Sequence, residues 1–156
     1  MIASEIWRHA SEDPRPSRED AVARLVEMLQ SLIKTTTKQG LMVAPLIGVA
    51  CPGRITENGS IERGSQNLPG NWESSRFNLV ARLREGIPRV GKYETHVVMH
   101  NDAVVQGLSE APFMKHVQRW GILTIGTGFG NARFTNRFTG VDSATSKAPE
   151  SASESA

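Results

Sequence analysis

The uninterrupted apolar run Pro45-Leu46-Ile47-Gly48-Val49-Ala50-Cys51, stopped by Pro52-Gly53, constrains the fold of this chain more than any other feature. A run of that length without a polar break suits a strand buried on both faces, as in α/β sheets covered by helices. A second strand, Thr95-His96-Val97-Val98-Met99-His100, leads straight into a helix expected from Ala103 to about Ser109. Strands of this kind alternating with helices predict the α/β class.

The clearest helix precedes the first of these strands. Ser17 followed three residues later by Asp20 reads as a capping-box variant. Val22, Leu25, Val26, Leu29, Leu32 and Ile33 then recur at helical spacing, and Gly40 ends the run. A short strand is expected at Ile2–His9 and a proline-broken loop at Ser11–Pro16. Thr56–Gly59 reads as a turn and Ser60–Gly64 as a short return strand. A second helix is expected over Ser75–Glu85, with Phe77, Val80 and Leu83 inward. Trp120–Ile125 and Ala132–Phe138 read as two strands flanking a glycine loop. Residues 139–156 are small or polar, rich in Ser and Ala, with Val141 as the only large aliphatic, and such a segment is expected to be a disordered tail. The folded part is therefore expected at 1–138.

Composition removes several function classes. The chain has 18 Lys+Arg against 16 Asp+Glu and no compact basic run, so nucleic acid is not an expected partner. One cysteine, Cys51, permits neither an internal disulfide nor a multi-cysteine zinc cluster, and its place at the end of an apolar run reads as a small buried hydrophobe. The start, Met1-Ile2-Ala3-Ser4-Glu5, has neither the charge nor the apolar core of a signal peptide, and no run is long enough to span a bilayer. A cytoplasmic protein without a membrane partner is expected.

Three segments can carry chemistry. Asn101-Asp102 follows a strand and opens a helix, a position where a carboxylate meets ligands at the carboxyl end of a sheet. The same residues also suit a plain helix cap. Gly126-Thr127-Gly128-Phe129-Gly130 has the glycines of a phosphate-cradling turn, although a ligand-free hairpin has the same composition. It lacks the Gly-Lys-Ser/Thr of a Walker loop. Pro52-Gly53-Arg54 offers close backbone approach and a guanidinium, or simply a turn with an exposed arginine.

Taken in order, strand-PGR, Asn67-Leu68-Pro69-Gly70-Asn71-Trp72, strand-Asn-Asp-helix and strand-GTGFG-strand resemble the bacterial ROK family of sugar kinases and sugar-responsive repressors. The likeness runs from about Ser17 to Asn136. It implies an incomplete ribonuclease H-like fold of the actin-like ATPase superfamily. It further implies that Asp102 deprotonates a hexose hydroxyl and that Asn101 binds a neighbouring one. Gly53 and Arg54 would contact the sugar, with Ser65 and Asn67 as further candidates; carbohydrate binding also favours an aromatic near the cleft, for which Trp72 is a candidate, although it reads first as a packing anchor. Gly126, Thr127, Gly128 and Gly130 would grip the phosphates of ATP, with Mg²⁺ neutralising them. No zinc is implied, since the family's structural site needs more cysteines than Cys51 alone.

The chain departs from the family pattern in several places. No Asp-x-Gly-x-Thr loop precedes the first helix, no Glu-x-Gly-His follows the glycine loop, and Asn131 stands where relatives usually carry glycine. A truncated or inactive kinase is therefore one expectation. A noncatalytic carbohydrate-binding or sugar-sensing module related to the family's repressors is the alternative. A third is a degenerate protein whose exposed sheet edge pairs with another copy.

Overall fold

The computed structural model describes residues 2–12, 14–74, 76–125 and 129–137. The expected tail at 139–156 and the loop residues Gly126, Thr127 and Gly128 lie outside them. The first helix, α1 (Arg18–Lys38), begins as its sequence dictates. The Ser17 hydroxyl oxygen accepts from the Asp20 N–H at 3.1 Å, and the Asp20 carboxylate accepts from the Ser17 N–H at 3.1 Å. A cap of this kind is typically worth about 1 kcal/mol. Gly40, with φ of 76°, follows the helix end.

The apolar run becomes β1 (Leu46–Cys51). The chain then makes a small hairpin, β2 (Arg54–Ile55) and β3 (Ile61–Arg63), and a helix, α2 (Leu79–Gly86). A second small hairpin, β4 (Arg89–Val90) and β5 (Tyr93–Glu94), leads into β6 (His96–Asn101). β6 returns parallel to β1, with Leu46 opposite His96 and Cys51 opposite Asn101. A parallel pair needs a crossover of a dozen residues or more, and α2 is the helix within it. The two strands end at one level, so the chain leaves Cys51 and Asn101 side by side. α3 (Asp102–Glu110) starts there, and the antiparallel hairpin of β7 (Arg119–Ile125) and β8 (Phe129–Thr135) packs on it.

The core lies between α1, α2 and one face of the parallel pair. Val22, Ile47, Trp72, Phe77, Leu79, Leu83, Val97 and Met99 are buried in it. Fully burying a leucine such as Leu83 contributes about 1.5–3 kcal/mol. α1 and α2 approach closely at Gly86, where a Cβ would meet a methyl of Val26 at 2.6 Å.

Four expectations need correction. No strand forms at Ile2–His9: residues up to Arg8 lack regular structure, His9–Ser11 make a 3₁₀ turn, and Ile6 is 80% exposed. The segment has poor alternation and no strand beside it. β1 is covered on one face only, since Leu46, Gly48 and Ala50 are exposed. Apolarity on both faces of a strand does not by itself supply the second covering layer. α2 begins four residues later than expected, because Asn78 accepts from the Ala81 N–H at 2.9 Å and sets the start. Leu79 enters the core beside Leu83, whereas Val80 is only partly buried. The return strand starts at Phe129, ahead of the expected Ala132, so Gly130 lies within β8.

Candidate functional site

The carboxyl ends of β1 and β6 open into a cleft of about 1010 Å³, lined by parts of the β2–β3 hairpin, the start of α3 and the tip of the β7–β8 hairpin. Gly53, Arg54, Asn67, Asn101, Asp102 and Gly130, six of the residues singled out by sequence, line this one space. Ser65 does not line it.

Asn101 and Asp102 divide the work of starting α3. Asn101 is the N-cap, its Oδ1 accepting from the Ala103 N–H at 3.0 Å. Asp102 is the first helical residue, and its Oδ1 accepts from the same N–H at 2.9 Å. Among the described residues no donor reaches Asp102 Oδ2, which leaves one carboxylate oxygen for a ligand hydroxyl. The β7–β8 hairpin is seated directly on this carboxylate: a Cβ added to Gly130 would lie 3.6 Å from Asp102 Oδ1.

Asn101 is less free than its expected sugar-binding role requires. Its Nδ2 donates to the Gly53 carbonyl at 2.8 Å, tying the end of β6 to the turn after β1. Gly53 is a knot in the backbone. Its φ is 97°, and a Cβ there would fall 2.3 Å from the Arg63 carbonyl oxygen. Gly64, at φ of 95°, approaches Gly53 from the other side. Only glycine permits that crossing.

Arg54 is engaged as well: its Nε donates to Glu62 at 2.8 Å, both side chains standing at the surface. Ser65 is buried, and its hydroxyl donates to Glu73 Oε1. The N–H groups of Gly64 and Ser65 donate to that oxygen too, each at 2.9 Å. Backbone and hydroxyl donors at Ser65, and the Gly64 N–H, hold the Glu73 carboxyl below the ordinary carboxylate range. Ser65 thus anchors the loop to a carboxylate and is removed from the set of cleft residues. Trp72 is buried edge-on against Phe77, a packing role.

Cys51, directly beneath the cleft, is no nucleophile. Burial, with the nearby charge of Asp102, pushes its thiol up to about 11. Arg63, Gln66, His100 and Thr124 also line the cleft and were not singled out by sequence. His100 sits next to Asn101 near the end of β6, where alternation alone assigns it to the opposite face, and Arg63 ends a strand too short to register a period. Glu73 carried no motif at all, since its role depends on a loop folded back from Gly64.

No family model, curated protein or solved structure matches the chain. Among the described residues, no helix is long and apolar enough to cross a membrane.

Proposed function

We propose that this chain is a sugar kinase-like protein that positions a hexose hydroxyl against Asp102 for phosphoryl transfer from ATP. The observation that supports this reading is the convergence of Asp102, the Gly53 knot and Gly130 on one cleft at the ends of two parallel strands. Ligands of open α/β sheets bind in such a place. The ROK resemblance, the ribonuclease H-like fold and a cytoplasmic setting belong to the same proposal.

In this mechanism Asp102 Oδ2 accepts the proton of the attacking hydroxyl. The hydroxyl oxygen forms a bond to the γ-phosphorus, the bond to the β–γ bridging oxygen breaks, and ADP leaves. Gly130, on β8, lines the cleft together with Asp102. Among the described residues no three His, Cys, Asp or Glu side chains gather into a metal site. Asp102, the one carboxylate among the described residues lining this cleft, is committed to the proton, so the lining offers no second carboxylate and Mg²⁺ would be held through the nucleotide's own phosphates. Mg²⁺ would there neutralise charge on the β and γ oxygens.

One observation favours a noncatalytic sugar-binding module instead: Asp102 already serves the helix through Ala103, a role that persists without any chemistry. Calorimetric titration with hexoses and Mg·ATP, combined with a phosphorylation assay, separates the two. The kinase reading predicts turnover that Asp102→Asn lowers by about 10²–10⁴-fold with the fold intact. Sugar binding without turnover in the native chain supports the binding module. Absence of sugar binding by the folded chain overturns both.

A further inference from the structure

The β2–β3 hairpin that walls the cleft is irregular. Ile55 pairs with Ile61, but Arg54 pairs with Arg63, so the register shifts by one residue at Glu62. An unshifted ladder would set Arg54 opposite Glu62, an attractive cross-strand pair. The bulge sets it opposite Arg63, and directly opposed like charges destabilise a hairpin. Glu62 still reaches Arg54 at 2.8 Å and compensates that one guanidinium. Arg63 has no hydrogen bond or ion pair from its side chain to any described residue, and it lines the cleft. Its backbone is fixed by contact with Gly53, so the position is held rather than loose.

The charged residues lining the cleft are therefore Arg54, already paired, and the uncompensated Arg63 and Asp102. A neutral hexose makes use of Asp102 and leaves Arg63 without a partner. Arg63 stands on the wall of Gly53 and Asn67, where the sugar is placed, while Gly130 belongs to the separate β7–β8 hairpin.

We propose that the cleft selects a sugar bearing an anionic group, a phosphate or a carboxylate, and that Arg63 is the residue that recognises it. Guanidinium matches both groups through two parallel N–H donors, and the bulge sets it beside the sugar wall. This rests on the sugar-binding reading above and names the class of sugar.

The test is calorimetric titration of the native chain and of Arg63→Gln with matched probes: glucose, mannose and galactose, their 6-phosphates and their uronic acids, and Mg·ATP. The native chain is expected to bind one acidic series about tenfold more tightly than the neutral sugars. Tighter 6-phosphates identify phosphate, and tighter uronic acids identify carboxylate. Arg63→Gln lowers the affinity for the acidic series to that for the neutral sugars, while Arg63→Lys keeps part of the preference. Equal affinity for neutral and acidic sugars overturns this inference alone. So does a loss in Arg63→Gln confined to Mg·ATP, which assigns the guanidinium to the nucleotide. Failure of every sugar to bind overturns the sugar-binding reading with it.

Discussion

Asn101 and Gly53, 48 residues apart in sequence, are joined by a 2.8 Å hydrogen bond from the asparagine amide to the glycine carbonyl. The bond closes the space between the ends of β1 and β6, and the same side chain caps α3 through Ala103. One residue thereby sets both the direction of the turn and the first residue of the helix.

Replacing Asn101 by alanine removes both contacts. A cost of about 1–3 kcal/mol is expected, read as a lowered midpoint in urea unfolding. Asn101→Asp keeps the capping oxygen but loses the donor to Gly53 and turns a charge toward that carbonyl, so its midpoint should lie below that of the native chain. Equal midpoints for Asn101→Asp and the native chain would show that the bond to Gly53 contributes nothing.

Gly53→Ala is expected to be among the most damaging single-methyl changes in the chain. It adds positive-φ strain to an overlap with the Arg63 carbonyl, for a loss above about 3 kcal/mol. Gly40 supplies the control: its φ is 76° and nothing lies within 4 Å of an added Cβ. Gly40→Ala should cost only the left-handed backbone term, about 1–2 kcal/mol. Thermal unfolding of the two variants side by side measures the difference.

Glu73 gives the loop above the cleft a defined acid response. Its carboxyl is depressed by the donors of Ser65 and Gly64, so the folded state binds the proton less readily than the unfolded chain. The contribution is then complete above the ordinary carboxylate value of 4.5 and is lost as pH falls through the lower folded value. Glu73→Gln should flatten this acid limb in a plot of thermal midpoint against pH. An unchanged limb would show that Glu73 does not carry it.

Cys51 should resist alkylation while the chain is folded. With its thiol pushed up to about 11, roughly one molecule in a thousand carries the thiolate at pH 8, and burial blocks access as well. Iodoacetamide at that pH should label the chain only in denaturant. Rapid labelling of the native protein would show that the ends of β1 and β6 open readily.

The parts that sequence predicted well are those governed by near neighbours. Ser17 and Asp20 announce α1 because a capping box spans three residues, and β1 and β6 are announced by apolar runs of strand length, a signal held within a few consecutive residues. Asn101-Asp102 was legible for the same reason, as a strand end meeting a helix start. What escaped depends on distant or very short contacts. β4 and β5 are two residues each, too short for any period to register. The bulge at Glu62 is a property of two strands together, and Ser65 looks polar and available until Glu73 folds back over it. Asn101 lines the cleft, yet the tie to Gly53 that limits its freedom is not written in its neighbours.

α3 carries one further implication. Its first residue is Asp102, and five residues on, roughly 7.5 Å along the axis, Gly107 receives the ring of Phe134 from β8. A Cβ on Gly107 would stand 2.1 Å from that ring, so the ring packs straight onto the helix backbone. Hairpin, helix and the carboxylate at its head therefore form one packed unit, and the wall of the cleft is built on the same helix that carries Asp102.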